Sequence, residues 1–217
     1  MDRKRLADYL EATQLHPVTT QDDISTLCRQ AIDHEFIGIC IPPYYTALAV
    51  RQLDGQHARV ITVIGFPQGY HTVNIKAEEA KKAVSDGADE LDMVVNLAAL
   101  KSGHWEKVAT DVQNISTICH QYDRLLKVIV ETSLLNEPEL EKVCHLCKDA
   151  EVDYVKTSTG YQGGATVHAV QQLRKFLPSK TGIKASGGIK TAEQAWALID
   201  AGATRIGTSS ALQMIDA

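Results

Sequence analysis

Eight times along the chain a short β-rich run gives way to a stretch with helical periodicity, and the order never breaks. Strict alternation of this kind implies a parallel sheet, because neighbouring parallel strands are joined through a crossover helix. The expected strands are residues 9–13, 36–41, 59–66, 90–95, 125–130, 153–156, 183–185 and 205–207. The expected helices are 21–35, 44–53, 72–86, 104–122, 137–150, 166–177, 191–201 and 209–215, after a short leading helix within 2–10. Local signals fit these boundaries: Thr20 is placed to cap a helix, Pro138 lies in a first turn, and Gly87 and Gly202 follow helix ends. Runs such as Val60-Ile61-Thr62-Val63-Ile64 are apolar on both faces, so the sheet must be covered on both. Eight units in 217 residues, with no linker or low-complexity segment, point to an α/β fold: one domain over 1–217 forming a single (β/α)8 TIM barrel. A doubly wound open sheet is the competing arrangement.

A weak internal echo sets the register. Gly87-Ala88-Asp89-Glu90-Leu91-Asp92, Glu151-Val152-Asp153-Tyr154-Val155-Lys156 and Gly202-Ala203-Thr204-Arg205-Ile206-Gly207 align without gaps as helix end followed by strand. Phe36-Ile37-Gly38-Ile39-Cys40 fits the same pattern. These are alternate strands, which in such a barrel share an interior layer, so Cys40, Asp92, Lys156 and Gly207 are expected at one depth. Asp92 and Lys156 should then face each other near the mouth.

Charge within a strand is costly unless it is paired or used. Lys127 and Lys184 also fall within strands, making three lysines and an acid at the functional end. Each alone is open to a bland reading, as a rim charge or a structural ion pair; together they read as Schiff-base chemistry. One ammonium close to another favours the neutral amine, a nucleophile towards carbonyls, and an acid within reach can move the protons. Ser186-Gly187-Gly188 and Gly207-Thr208-Ser209-Ser210 follow strands 7 and 8, where barrels of this kind often bind phosphate on backbone N–H groups. Other features read as bland. Cys144-x-x-Cys147 with His145 lacks a second ligand pair, Cys119-His120 reads as helix surface, and Trp105 and Trp196 read as packing. Glu131 fits either a site residue or a loop cap.

Composition narrows the partners. With 22 basic against 27 acidic residues and a net charge of −5, neither nucleic acid nor an anionic membrane is the expected partner. No apolar run approaches the ~20 residues that span a bilayer, and the N-terminus leads into no signal-type core. Five scattered cysteines read as reduced thiols of a cytoplasmic protein.

Several stretches resemble deoxyribose-phosphate aldolase, a class I aldolase family. They are Val63-Ile64-Gly65-Phe66-Pro67, Gly87 to Asp92 as above, Leu126-Lys127-Val128-Ile129-Val130-Glu131-Thr132, Val155-Lys156-Thr157-Ser158-Thr159-Gly160 and Ile183-Lys184-Ala185-Ser186-Gly187-Gly188-Ile189. The resemblance implies reversible cleavage of 2-deoxy-D-ribose 5-phosphate to acetaldehyde and D-glyceraldehyde 3-phosphate, in deoxyribose phosphate catabolism, with no metal and no cofactor. By resemblance Lys156 is the Schiff-base lysine, Asp92 the proton donor and acceptor, and Lys184 the second lysine that tunes it. Thr159, Gly160, Gly187, Gly188, Gly207, Ser209 and Ser210 match positions at the phosphate end, and Cys40 a pocket position near the two-carbon end; Lys127 joins the substrate-binding set. The family is often dimeric, which implies a homodimer.

The chain also departs from the pattern. Glu11-Ala12-Thr13 stands where members usually have Asp-His-Thr, and Tyr161 where some have lysine. The sequence ends at Ala217 without the terminal tyrosine of some members. These bear on rate and substrate preference rather than on reaction class. Two rivals predict otherwise. A non-catalytic sugar-phosphate-binding barrel has no use for buried lysines, and a phosphate-handling isomerase or epimerase wants flanking acid and base groups without an imine-forming lysine.

Overall fold

The computed structural model describes residues 5–215. Its eight parallel strands close into one barrel in sequence order, with β8 pairing back onto β1. The elements are β1 (Leu10–Thr13), α1 (Gln21–Asp33), β2 (Gly38–Ile41), α2 (Thr46–Gln52), β3 (Arg59–Ile64), α3 (Val73–Ser85), β4 (Glu90–Val94), α4 (Leu97–Lys101), α5 (Trp105–Gln121), β5 (Leu125–Ile129), α6 (Glu137–Asp149), β6 (Tyr154–Lys156), α7 (Val167–Phe176), β7 (Gly182–Ser186), α8 (Ala192–Asp200), β8 (Arg205–Thr208) and α9 (Ala211–Ile215). The expected leading helix is a single 3-10 turn, Leu6–Tyr9, and its residues 2–4 lie outside the described part. Residues 44–53 divide into a 3-10 turn, Pro43–Tyr45, and α2.

Capping fixes several boundaries. The Thr20 hydroxyl accepts from Asp23 N–H at 3.3 Å while the Asp23 carboxylate accepts from Thr20 N–H at 2.8 Å, a reciprocal capping box. Asn136 and Glu139 repeat the device at α6. Gly87 and Gly202 end α3 and α8 at φ of 93° and 117°, a conformation that carries no penalty only in glycine. The extra helix α4 starts where the Asn96 side chain accepts from Ala99 N–H, and its five residues are too few to show a helical period.

Alternation along each strand sorts residues between two compartments. Leu91 and Met93 of β4, and Leu126 and Val128 of β5, point outward into the apolar layer between barrel and helices. Each large side chain buried there contributes ~1.5–3 kcal/mol, so this layer carries the fold. The barrel interior is divided instead. Cys40, Ile61 and Val63 form a small apolar cluster roofed by Leu15 and Phe66. The interior also holds Glu11, Glu90, Asp92, Lys127, Lys156 and Lys184, all buried. No helix among the described residues is long and apolar enough to cross a membrane.

Candidate active site

Lys156 is the last residue of β6, where the chain leaves the sheet and the side chain is delivered to the catalytic end of the barrel. Its Nζ donates to Asp92 Oδ2 at 2.8 Å, so the two residues expected in one layer do face each other. Lys184 Nζ donates to the same oxygen at 2.7 Å, and Lys127 Nζ to Asp92 Oδ1 at 3.0 Å. Cys40 lies alongside, with Sγ 3.9 Å from Asp92 Oδ2. Lys184 also pairs with Glu11, and Lys127 with Glu90. Glu11 Oε1 lies 3.6 Å from Lys127 and 3.5 Å from Arg205. The extra methylene of Glu11 therefore leaves its ion pair with Lys184 intact.

Three lysine side chains thus meet three carboxylates, with Lys127, Lys184, Glu11, Glu90 and Asp92 buried beneath Lys156. Burial alone would raise the Asp92 carboxyl, but Lys127, Lys156 and Lys184 outweigh it and hold the group well below its usual range. Burial would lower Lys127, yet Asp92, Glu11 and Glu90 hold it well above its usual value. Lys184 is raised in the same way, burial being overcome by Asp92 and Glu11. Lys127 and Lys184 are therefore fixed cations, and Asp92 is a fixed carboxylate in the resting site.

A cleft of about 200 Å³ opens above this cluster, lined by Lys156 together with Thr13, Leu15, Thr159, Gly160, Ser186, Gly187, Gly188, Gly207 and Ser209. Lys127 and Lys184 are wholly buried, so Lys156 is the member of the lysine trio that lines the cleft. Lys127, grouped with the substrate-binding residues on the sequence, spends its ammonium on carboxylates instead. Gly187 and Gly188 both have positive φ, 90° and 73°, which turns the loop after β7 along the cleft wall. Ser209 lines the cleft, whereas Ser210 is placed by its N–H on Thr208 Oγ1 at 2.9 Å. Gly207 has a further use: a Cβ there would lie 3.0 Å from Lys184 Cε and 3.1 Å from Ser186 Cβ.

Loop contacts keep the cleft in shape. Buried Glu131, at φ 57°, accepts from the Thr159 hydroxyl at 2.5 Å and from its N–H at 3.1 Å. It is a clamp on the loop after β6, and its side chain makes no capping bond to the turn that follows it. Ser186 Oγ donates to Ser158 O at 2.6 Å, joining the loops after β6 and β7. Tyr161 reaches across the mouth, its hydroxyl donating to Leu15 O at 3.4 Å and its ring standing edge-on to Phe66 with centroids 5.7 Å apart.

Sequence reasoning missed Leu15 and Lys190, which also line the cleft, and the carboxylate Glu90 beneath it. A signal existed for two of them: Lys190 follows the Gly-Gly turn by two residues, and Glu90 shares the interior face of β4 with Asp92. Cys119, read as helix surface, is buried, because α5 turns it against the barrel; His120 beside it meets Asp153 at 3.1 Å. Cys144 and Cys147 are free thiols within the apolar layer, Trp196 packs edge-on against Tyr9, and Trp105 lies under the Lys142 ammonium.

This geometry can be set beside known proteins. A family model described as DeoC/LacD family aldolase matches residues 1–215. The deoxyribose-phosphate aldolase of Thermococcus gammatolerans is 46% identical over 214 residues, covering 97% of this chain and 95% of that protein. That of Mannheimia succiniciproducens is 44% identical over 216 residues, covering 99% and 96%. The tetrameric structure of deoxyribose phosphate aldolase from Aeropyrum pernix matches with a TM-score of 0.91 at 34% identity, over 97% of this chain and 89% of that one. The chain belongs to the DeoC/LacD family of aldolases.

Proposed function

We propose that this aldolase reversibly cleaves 2-deoxy-D-ribose 5-phosphate to acetaldehyde and D-glyceraldehyde 3-phosphate through an imine on Lys156. The observation that carries the reading is one of access: Lys156 lines the cleft and shares the Asp92 carboxylate with two cations that lie buried beneath. Attack of Lys156 Nζ on the C1 aldehyde of the open-chain sugar gives a carbinolamine. Asp92, directly or through water, moves the protons that let it lose water to the imine. Removal of the C3 hydroxyl proton then breaks the C2–C3 bond, the iminium accepts the electron pair as an enamine, and the three-carbon aldehyde phosphate leaves. Protonation at C2 and hydrolysis release acetaldehyde. The bond is C2–C3 because it joins the carbon next to the imine to the one bearing the hydroxyl.

Gly160, Gly187, Gly188, Ser209 and Thr159 are the proposed phosphate-end groups, with Lys190 supplying a cation on the same wall. Cys40, in the apolar cluster with Val63, belongs to the two-carbon end. One domain over 1–217 is proposed to act as a homodimer in the cytoplasm. Five free cysteines support a reducing compartment, and sedimentation distinguishes a dimer from the tetramer described for the Aeropyrum pernix protein.

Borohydride trapping with acetaldehyde, followed by peptide mass mapping, tests the central assignment. The expected adduct is on Lys156. No adduct, or one on Lys184 or elsewhere, sinks it.

A further inference from the structure

Glu90 is an interior carboxylate that the reaction above does not use. It stands two residues before Asp92 on β4, so alternation puts both on the interior face, with Glu90 nearer the floor of the barrel. Lys127 spans them, with Nζ 3.0 Å from Asp92 Oδ1 and in an ion pair with Glu90 Oε2. Glu90 Oε1 accepts from Arg59 Nη1 at 2.6 Å. Arg59 opens β3, and its side chain is 44% exposed. An unbroken file of alternating charge therefore runs from solvent at the floor to the catalytic end: Arg59, Glu90, Lys127, Asp92, Lys156.

We infer that Glu90 is a positioning residue for the aldolase reaction, drawing Lys127 away from Asp92 and so setting how much positive charge surrounds Lys156. The inference deepens the proposed function and rests on Lys156 forming the imine. The groups facing each member are few. Lys127 meets Glu90 and Asp92 from β4 and Glu11 from β1. Glu90 meets Lys127 from β5 and Arg59 from β3, with Arg205 of β8 acting through space. Asp92 meets Lys127, Lys156 and Lys184, with the Cys40 thiol of β2 alongside.

Glu90→Gln keeps the volume and an oxygen for Arg59 but removes one negative charge. Lys127 is then left to Asp92 and Glu11, and the interior becomes one charge more positive, which disfavours a further ammonium at the mouth. A unit charge lost across two strand spacings, at an effective dielectric of about 20, should move the acid limb of kcat/KM down by about one pH unit. On the acid side that reads as a relative rate roughly tenfold higher. Arg59→Gln removes the competing partner of Glu90 and should move the limb the other way, by less, because solvent screens Arg59.

The experiment is the pH–rate profile of wild type, E90Q and R59Q, each with borohydride trapping and peptide mapping. Opposite displacements of the acid limb, with the adduct on Lys156, are the expected result. A lower kcat in both variants with an unmoved limb, or displacements of the same sign, overturns the positioning role and leaves Glu90 a structural group. Should E90Q not fold, R59Q decides, and an unmoved limb there is equally fatal. A wild-type adduct on another residue instead overturns the site reading, and so the two failures stay distinct.

Discussion

Among the described residues lysine is buried against aspartate in two places, and the two behave in opposite ways. Outside the barrel, Lys76 of α3 donates to Asp111 of α5 at 2.5 Å and to Val94 O at 2.8 Å. Burial dominates there: it lowers Lys76 and raises Asp111, and each group's pull on the other is too weak to reverse the shift. Inside the barrel, burial is at least as complete, yet Lys127 is raised and Asp92 lowered. The difference is the number of opposite charges. Lys76 has one carboxylate partner in direct ion-pair contact, whereas Lys127 has three and Asp92 has three lysine partners. A lone pair does not recover the cost of leaving water, but a network can. Buried lysine is thus no signal of chemistry in itself; the signal is a lysine held in a network and open to a cleft.

The sharpest break of the comparison is kinetic. Lys156→Ala should lower kcat/KM by on the order of 10⁴-fold or more, whereas Lys76→Met should leave kcat per folded molecule within about twofold. Steady-state assays corrected for folded fraction check both. Stability should show the reverse emphasis. Lys76→Met strands Asp111 in the apolar layer and should cost roughly 3 kcal/mol in urea unfolding, while the double variant Lys76→Met/Asp111→Leu should recover most of it.

Acid separates the regions by sign. Glu90 is held down to about 2 from an ordinary 4.5, with burial outweighed by Lys127 and Arg59, so its contribution is complete above pH 4.5 and is lost as pH falls through about 2. That amounts to roughly 3 kcal/mol. Asp111 is raised instead, so its contribution is present below its ordinary 3.8 and is lost as pH rises. Unfolding free energy measured between pH 5 and 2 should therefore fall less steeply in Glu90→Gln than in wild type, and no less steeply in Asp111→Asn. A flat wild-type curve would contradict the network account. The smallest effect belongs to Tyr161→Phe, which deletes one long, half-exposed hydrogen bond to Leu15 O; stability should change by under about 0.5 kcal/mol and KM by no more than about twofold.

Legibility in the sequence followed physical period. The barrel was readable because alternation of strand and helix is a long-range pattern, repeated eight times, that a local error cannot erase. Asp92, Lys156 and Lys184 were readable because charge inside an apolar strand is conspicuous. Glu90 was overlooked although it stands two residues from Asp92, because at a strand's first position a carboxylate looks like a solvent-facing end. Helix α4 and the 3-10 turn Thr132–Leu134 are shorter than any period that could announce them. Leu15 and Tyr161 meet only when β1 and β6 lie across the same mouth, a proximity 146 residues apart in sequence.

Gly207 gives strand β8 an unusual part in the site. Its missing side chain is the berth in which the stem of Lys184 lies, with room for a Cβ only at 3.0 Å from Lys184 Cε. A substitution at 207 would accordingly be felt at a distance, as a lever moved at its fulcrum: the stem lifts, and the ammonium at its tip swings relative to Asp92 and Glu11. The position encodes the aim of a neighbouring strand's cation, and its information lies in an empty volume rather than in any group that takes part.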